Sequence, residues 1–431
     1  MKSRTIGVRT VSALGVLFSV AAYAPDAAAS IRVNTTSMWI EDAPRCRIDE
    51  ALAAIESGTS VDGCVYDGTN VITLGPFLTD SGTVQNNGDI WVQEGLHLDN
   101  VVVEGHAAGT VRLVTDGFMA PYAVWMANEA TLRNVQVVAL NILPGKSVTG
   151  VYVASDGLAA LERVRVIGFN DGGIYMDGTF LSMFRSSISN NRAVRGGGLY
   201  INSGQCVAKY STFANNKATG GSGGGIYVQP PAGGYAELNG FHLTVAGNTA
   251  TGVGAGIYIG PGAGTSTSLN GSLVAENTRA GTATRDDYRG RMRPLSTNPA
   301  FYAAHWQVGL NRNLLTSGTA SNMPGYKASY TDESPSATCP STICTGRHFA
   351  SWDRVVSDAG IGARASDGTV TLGSDGTVAL QSGSLAINGG IQSATVGSST
   401  GWYWDRQNFT TDQRGVAAPR GASHDQGAFE R

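Results

Sequence analysis

The sequence predicts an all-β chain wound as a parallel solenoid. Three observations predict it: one phrase recurring every 23 to 32 residues, period-two alternation of apolar side chains inside that phrase, and 58 glycines among 431 residues. The phrase is ISNNRAVRGGGLYI (188–201), FANNKATGGSGGGIYV (213–228) and VAGNTATGVGAGIYI (245–259). Its tyrosines, Tyr152, Tyr175, Tyr200, Tyr227 and Tyr258, are 23, 25, 27 and 31 residues apart, and its asparagines, Asn191, Asn216, Asn248 and Asn277, are 25, 32 and 29 apart. A period in this range marks a repeat architecture.

Alternation excludes a helical repeat, which needs apolar residues at i, i+3, i+4 and i+7. Here Ile174 and Met176 flank Tyr175, Leu199 and Ile201 flank Tyr200, Ile226 and Val228 flank Tyr227, and Ile257 and Ile259 flank Tyr258. Period two sends the flanking residues to one face and the tyrosine to the other. A unit of two or three short strands cannot bury its apolar face alone, so stacked units share one core. Asparagine at a fixed register in successive coils reads as an amide ladder.

Residues 1–29 have the pattern of a secretory signal peptide: Lys2, Arg4 and Arg9, an apolar run from Val11 to Ala24, then Ala27-Ala28-Ala29. Without them, 30 basic and 33 acidic residues become 27 and 32, a net charge of −5. That balance predicts no nucleic-acid partner. No later stretch reaches 18 apolar residues, so no transmembrane segment is expected in the mature chain. Localisation is expected to be secreted, extracellular or at the cell surface.

An exported chain can form disulfides. Cys46 and Cys64 flank one predicted helix, and Cys339 and Cys344 flank one tight loop. Both are candidate pairs, and the connectivity stays open at this level. Cys206 is left over and reads as a buried thiol.

Arg47 to Ser57 is the one clear helix, with Ile48, Leu52 and Ile55 on one face. Bare strand edges invite aggregation, so this helix is the expected N-terminal cap, over 46–58. Coils are expected over 71–283, beginning with VITL (71–74), DIWVQ (89–93), NVVVEG (100–105), TVRLV (110–114), TLRNVQVV (131–138) and LERVRVIG (161–168). Residues 284–347, rich in charge, Pro and aromatics, read as an irregular excursion. SDGTV at 366–370 and 374–378 marks a return to short strands in a C-terminal segment, 348–431. The whole of 30–431 reads as one domain.

CRIDEALAAIESG (46–58), SGSLAING (382–389) and DQRGVAAPRGASHDQGAFE (412–430) resemble the opening and closing phrases of choice-of-anchor Q proteins. These are exported right-handed parallel β-helix proteins of the pectin-lyase-like superfamily. Phe213 to Asn216 and Gly224-Gly225-Ile226 resemble the repeats of chlamydial polymorphic outer membrane proteins. The resemblance implies a right-handed β-helix and export, and no particular activity. Ile48, Asp49 and Asn388 depart from the usual phrases, and with no sorting tail after Glu430, free secretion is the expectation.

Three columns of residues are candidates for chemistry. Tyr152, Tyr175, Tyr200, Tyr227 and Tyr258 form either an aromatic platform for sugar rings or an aromatic stack covered by flanking loops. Six residues before each asparagine stand Arg185, Tyr210 and His242, with Arg165 joining if Asp171 takes the asparagine register. These are the catalytic candidates, an acid–base set facing outward, against a solvated polar face as the plain alternative. Arg192 and Lys217 follow the asparagines and read as surface. Asp-Gly pairs read as turns, and Asp286-Asp287 with Arg289 and Arg291 is the densest charged patch. No metal or cofactor is predicted, Ca2+ entering only if the chain is a lyase. The functional expectation is a non-catalytic β-helix protein binding extracellular polysaccharide or a cell surface. The alternatives are a polysaccharide lyase or glycoside hydrolase acting on an acidic polysaccharide, and a structural adhesion component.

Overall fold

A computed structural model describes residues 30–36, 45–78, 83–106, 110–117, 119–260, 264–282, 286–289, 370–374, 376–381 and 412–414, and the backbone of four further short strands. The proposed signal peptide, Cys339, Cys344 and most of 290–431 lie outside the described residues.

The chain is a right-handed parallel β-helix. One coil shows the plan: Phe180–Phe184 in a nine-stranded first sheet, Ser187–Ser189 in a ten-stranded second sheet, Arg192–Ala193 in a four-stranded short sheet, and Leu199–Ile201 in an eight-stranded ring sheet. The next coil repeats it with Gly204–Lys209, Thr212–Ala214, Lys217–Ala218 and Ile226–Val228. Every neighbouring pair in these four sheets is parallel, each coil rising about 4.8 Å on the last.

The alternation places the core. Ile174, Leu199, Ile226 and Ile257 stack in one inward column and Met176, Ile201, Val228 and Ile259 in the next, all at most 2% exposed. Each such side chain stabilises the fold by roughly 1.5–3 kcal/mol relative to exposure.

The asparagine ladder is formed. Asn191 Nδ2 donates to Asn216 Oδ1 at 3.1 Å, Asn216 Nδ2 to Asn248 Oδ1 at 3.0 Å, and Asn248 Nδ2 to Asn277 Oδ1 at 2.8 Å. Each Oδ1 also accepts the backbone N–H of the asparagine below. The ladder ends on Asp287, whose Oδ1 accepts from Asn277 N and Nδ2 at 3.0 and 2.9 Å. The densest charged pair of the sequence is therefore partly a structural terminus: Asp287 is buried, and its neighbour Asp286, also buried, meets Arg279 at 3.3 Å. The ladder also explains the glycines that open the Gly-apolar-Tyr phrase. A Cβ at Gly173, Gly198, Gly225 or Gly256 would come within 2.8–3.0 Å of Nδ2 of Asn191, Asn216, Asn248 or Asn277.

Two expected strands divide. TLRNVQVV becomes Glu129–Arg133 in the first sheet and Val135–Ala139 in the second, with Asn134 between them at φ 51°. LERVRVIG divides likewise at Arg163, φ 55°. A single left-handed residue turns the chain through the corner.

The helix Ile48–Ser57 stands against Ile31–Val33 and Val71–Leu74, the first two strands of the first sheet, as a cap. Glu50 accepts the Arg47 backbone N–H at 2.9 Å, and Gly58 ends the helix at φ 66°. Ile48, Ala51 and Ala54 are buried, while Leu52 and Ile55 pack partly buried against the core. A disulfide joins Cys46 to Cys64. Coil register runs past residue 283: Tyr288–Arg289 pairs with Ile257–Tyr258, and Leu314–Leu315 with Leu273–Val274. Among the described residues no helix is long and apolar enough to cross a membrane.

Candidate functional site: an aromatic column on the ring sheet

The five tyrosines share one outward register, Tyr152↔Tyr175↔Tyr200↔Tyr227↔Tyr258. The column is longer than its tyrosines. Trp125 pairs with Tyr152, His97 with Trp125, and Arg289 with Tyr258. The tyrosine spacing could not find these members, because their side-chain types differ and the early coils lack the Gly-apolar-Tyr phrase. The alternation in GLHLD (95–99) offers the one local signal for His97.

The rings touch in sequence. Tyr152 stacks on Tyr175 with centroids 5.6 Å apart and planes 5° apart. Tyr175–Tyr200 and Tyr200–Tyr227 meet edge to face at 5.0 and 4.9 Å, and Tyr227 stacks on Tyr258 at 5.0 Å. At the early end His97 lies 5.1 Å from Trp125 and 5.5 Å from Tyr122, whose hydroxyl is 3.0 Å from His97 Nε2. Offset and edge-to-face contacts of this kind contribute about 0.5–1.5 kcal/mol each beyond burial. Trp125, Tyr152, Tyr175, Tyr200 and Tyr258 keep a partly exposed surface, whereas Tyr227 is only 4% exposed. The Arg195 guanidinium lies over the Tyr227 ring, 5.9 Å from its centroid, and the Tyr227 hydroxyl donates to Gln229.

Two residues beyond Tyr175, Tyr200 and Tyr227 runs a polar fringe of Asp177, Asn202 and Gln229. Asn202 donates to Asp177 Oδ1 at 2.8 Å, and Gln229 follows at the next rung. Before the rings, Gly196, Gly223 and Gly254 adopt φ of 61°, 68° and 62°. A Cβ there would fall 2.7–3.1 Å from the Cβ of Tyr200, Tyr227 or Tyr258, so the glycines leave the rings their room. Burial pushes the Tyr175 phenol up to about 12, with the neighbouring Tyr200, Asp177 and Tyr152 adding to it. Burial also raises Tyr152, Tyr200 and Tyr227. The column thus offers neutral ring faces and hydroxyl donors.

The acid–base candidates are placed differently from expectation. Arg185, Tyr210 and His242 do form a column, at the corner between the first and second sheets, with φ of 53°, 48° and 50°. Its fourth member is Arg163, not Arg165: Arg165 pairs with Ser187, and the position below Asn191 is Phe169 rather than Asp171. The column points away from the core, yet Tyr210 is 3% and His242 0% exposed, so it is neither a solvated face nor an open one. Tyr210 stacks on His242 at 5.0 Å, and Arg185 covers Phe184 at 4.6 Å. Burial lowers the Arg185 pKa, with Arg163 adding to the effect and Asp412 opposing it. Asp412 belongs to the closing Asp-Gln-Arg phrase, whose Gln413 accepts from Thr212 Oγ1 at 2.7 Å. That phrase packs on the corner, a tertiary contact invisible to local pattern.

The second sheet is also covered. Val370, Val378 and Leu380 pack on Ala214, Ala246, Leu273 and Ala275. Asn215 exchanges two hydrogen bonds with Val370, at 2.9 and 2.8 Å, and Ser187 Oγ and Arg165 donate to Gly376 O and Ser374 O. Arg192 and Lys217 are exposed and directly opposite each other. Cys206 is a buried free thiol whose pKa burial raises. Among the described residues no group of three or more His, Cys, Asp or Glu side chains is placed to hold a metal ion.

No curated protein matches this chain. A crystal structure of pectate lyase Pel9A aligns over 94% of this chain and 97% of that one, at 12% identity and a TM-score of 0.34, a likeness too distant to bear on function. Residues 123–289 match a family model described as a right handed beta helix region, and these are the coils that carry most of the aromatic column.

Proposed function

We propose that this is an exported protein that binds polysaccharide, or a glycan-bearing cell surface, along the outer face of the ring sheet without catalysing a reaction on it. One observation carries the reading: seven ring-bearing rungs, from His97 to Tyr258, stand in unbroken register, and most of them keep exposed surface. Ring faces repeated every ~4.8 Å suit an extended polymer better than a small molecule. Flat apolar faces with a hydroxyl at the rim suit sugar rings, which present C–H surface and hydroxyls together. The likeness of the chain's two ends to choice-of-anchor Q proteins supports export. A catalytic reading would need an accessible acid–base pair, and the residues nominated for it include Tyr210 and His242, which are out of reach of a polymer.

The test is affinity electrophoresis in gels containing glycans. Wild-type protein is expected to be retarded by at least one polymer, and Tyr175→Ala with Tyr200→Ala to abolish the retardation while the protein stays folded. A calcium-dependent rise in ultraviolet absorbance on uronate polymers would instead establish a lyase and end this reading.

A further inference from the structure

The outward position that follows the ladder asparagine holds Arg192, Lys217, Thr249 and Thr278 in four successive coils. Threonine serves the fold there, so nothing in the coil demands a cation. Yet Arg192 lies directly opposite Lys217, both exposed, and neither side chain has a hydrogen bond or ion pair among the described residues. Like charges directly opposite across strands are destabilising. Two more cations approach the rings themselves. Exposed Arg195 reaches over Tyr227, and half-buried Arg289 occupies the ring register one rung beyond Tyr258. The acids of that end are engaged within the fold: Asp286 meets Arg279, and Asp287 ends the asparagine ladder. The earlier rungs carry the opposite sign, with Asp99 and Asp177 two residues beyond His97 and Tyr175. This cationic end belongs to a chain whose formal charge is −3.

We propose that the late end of the ring column, from Tyr200 to Arg289, takes an anionic glycan, with Arg192, Arg195, Lys217 and Arg289 reading its carboxylate or sulfate groups. This deepens the glycan-binding reading and rests on it. The like-charged pair is then a functional placement: its repulsion is relieved when a polyanion lies across both coils. The acidic early end sets the direction, favouring neutral stretches of polymer there.

The experiment uses the full chain in affinity gels containing polygalacturonate (carboxylated), dextran sulfate (sulfated) or dextran (neutral). Retardation by at least one anionic polymer is expected, weakening about tenfold or more between about 50 and about 300 mM salt. Arg192→Ser with Lys217→Ser, and separately Arg195→Ser, should each weaken it by up to about fivefold per charge removed. Asp177→Asn should strengthen it, a gain that loss of folding cannot imitate. The two anionic arms separate carboxylate from sulfate recognition. If dextran is retained as strongly as either anionic polymer, and salt and the charge variants change nothing, the anionic assignment falls while ring binding stands. If no polymer is retained, both readings fall. If single-stranded DNA binds as tightly as the glycans and Tyr175→Ala with Tyr200→Ala has no effect, the patch reads charge alone and the proposal is overturned.

Discussion

The ring sheet and the second sheet are made by the same coils, share one core and alternate in the same way, yet their outer faces end differently. The ring sheet presents large side chains, Trp125 through Tyr258, all of which but Tyr227 remain partly open. The second sheet presents Ala214, Ala246, Leu273 and Ala275, and Val370, Leu372, Val378 and Leu380 pack over them. Small residues make a flat strip against which backbone can settle closely, as the two hydrogen bonds between Asn215 and Val370 show. Rings standing off the sheet, held apart from the preceding loop by left-handed glycines, leave no such strip. Outward parity is thus necessary for a binding face and far from sufficient. What lies across the face decides its use, and the corner column of Tyr210 and His242 makes the same point, since a polar outward column has been closed over.

This contrast can be broken by a charge placed on each face. Ala246→Asp should destabilise the protein by about 3 kcal/mol or more, because the carboxylate would be buried without a partner under Val370 and Val378. Tyr258→Asp, on the open face, should cost about 1 kcal/mol, chiefly its contact with Tyr227. Denaturant titration of the two variants gives the comparison, and equal losses would mean that both faces are closed.

A smaller effect sharpens it. Asn215→Gly, which keeps the left-handed φ of 58° without strain, removes both hydrogen bonds to Val370 and should cost about 1–2 kcal/mol. Amide exchange at Val370 should accelerate, while glycan retardation on the ring face is unchanged. Loss of glycan binding in this variant would show that the two faces are coupled.

The smallest expected effect is a pH response of the rings. The native Tyr175 phenol, raised to about 12 from its ordinary 10.0, holds its proton more tightly than the unfolded chain does. Its contribution is complete below pH 10 and is lost as the pH rises towards 12, because the unfolded state then releases the proton first. The melting temperature should therefore fall across that interval, and fall less steeply in Tyr175→Phe. An unchanged slope would place the alkaline response elsewhere.

Much of this architecture was legible in the sequence. Period two in Leu199-Tyr200-Ile201 and its counterparts assigns the core and the ring column, and the spacing of Asn191, Asn216, Asn248 and Asn277 assigns the ladder, because both depend only on neighbours along a strand and on one repeat. The glycines before the Tyr175, Tyr200, Tyr227 and Tyr258 rungs were visible as part of the phrase, but their reason, the asparagine amide beside each, came from the structure.

What the tertiary structure decided is registration and access. Parity restarts at each left-handed corner, so Asn134 and Arg163 divided runs in which two polar residues in succession, Arg133-Asn134 and Glu162-Arg163, already interrupt the alternation, and Arg163 replaced Arg165 in the corner column. His97, Trp125 and Arg289 joined the rings because backbone pairing, not side-chain type, sets membership of a column. The covering of the second sheet and of the corner rests on hydrogen bonds between residues 155 to 209 positions apart. A side chain's own surroundings in sequence determine which way it points. Whether water reaches it depends on chain arriving from far away, and no local pattern carries that information.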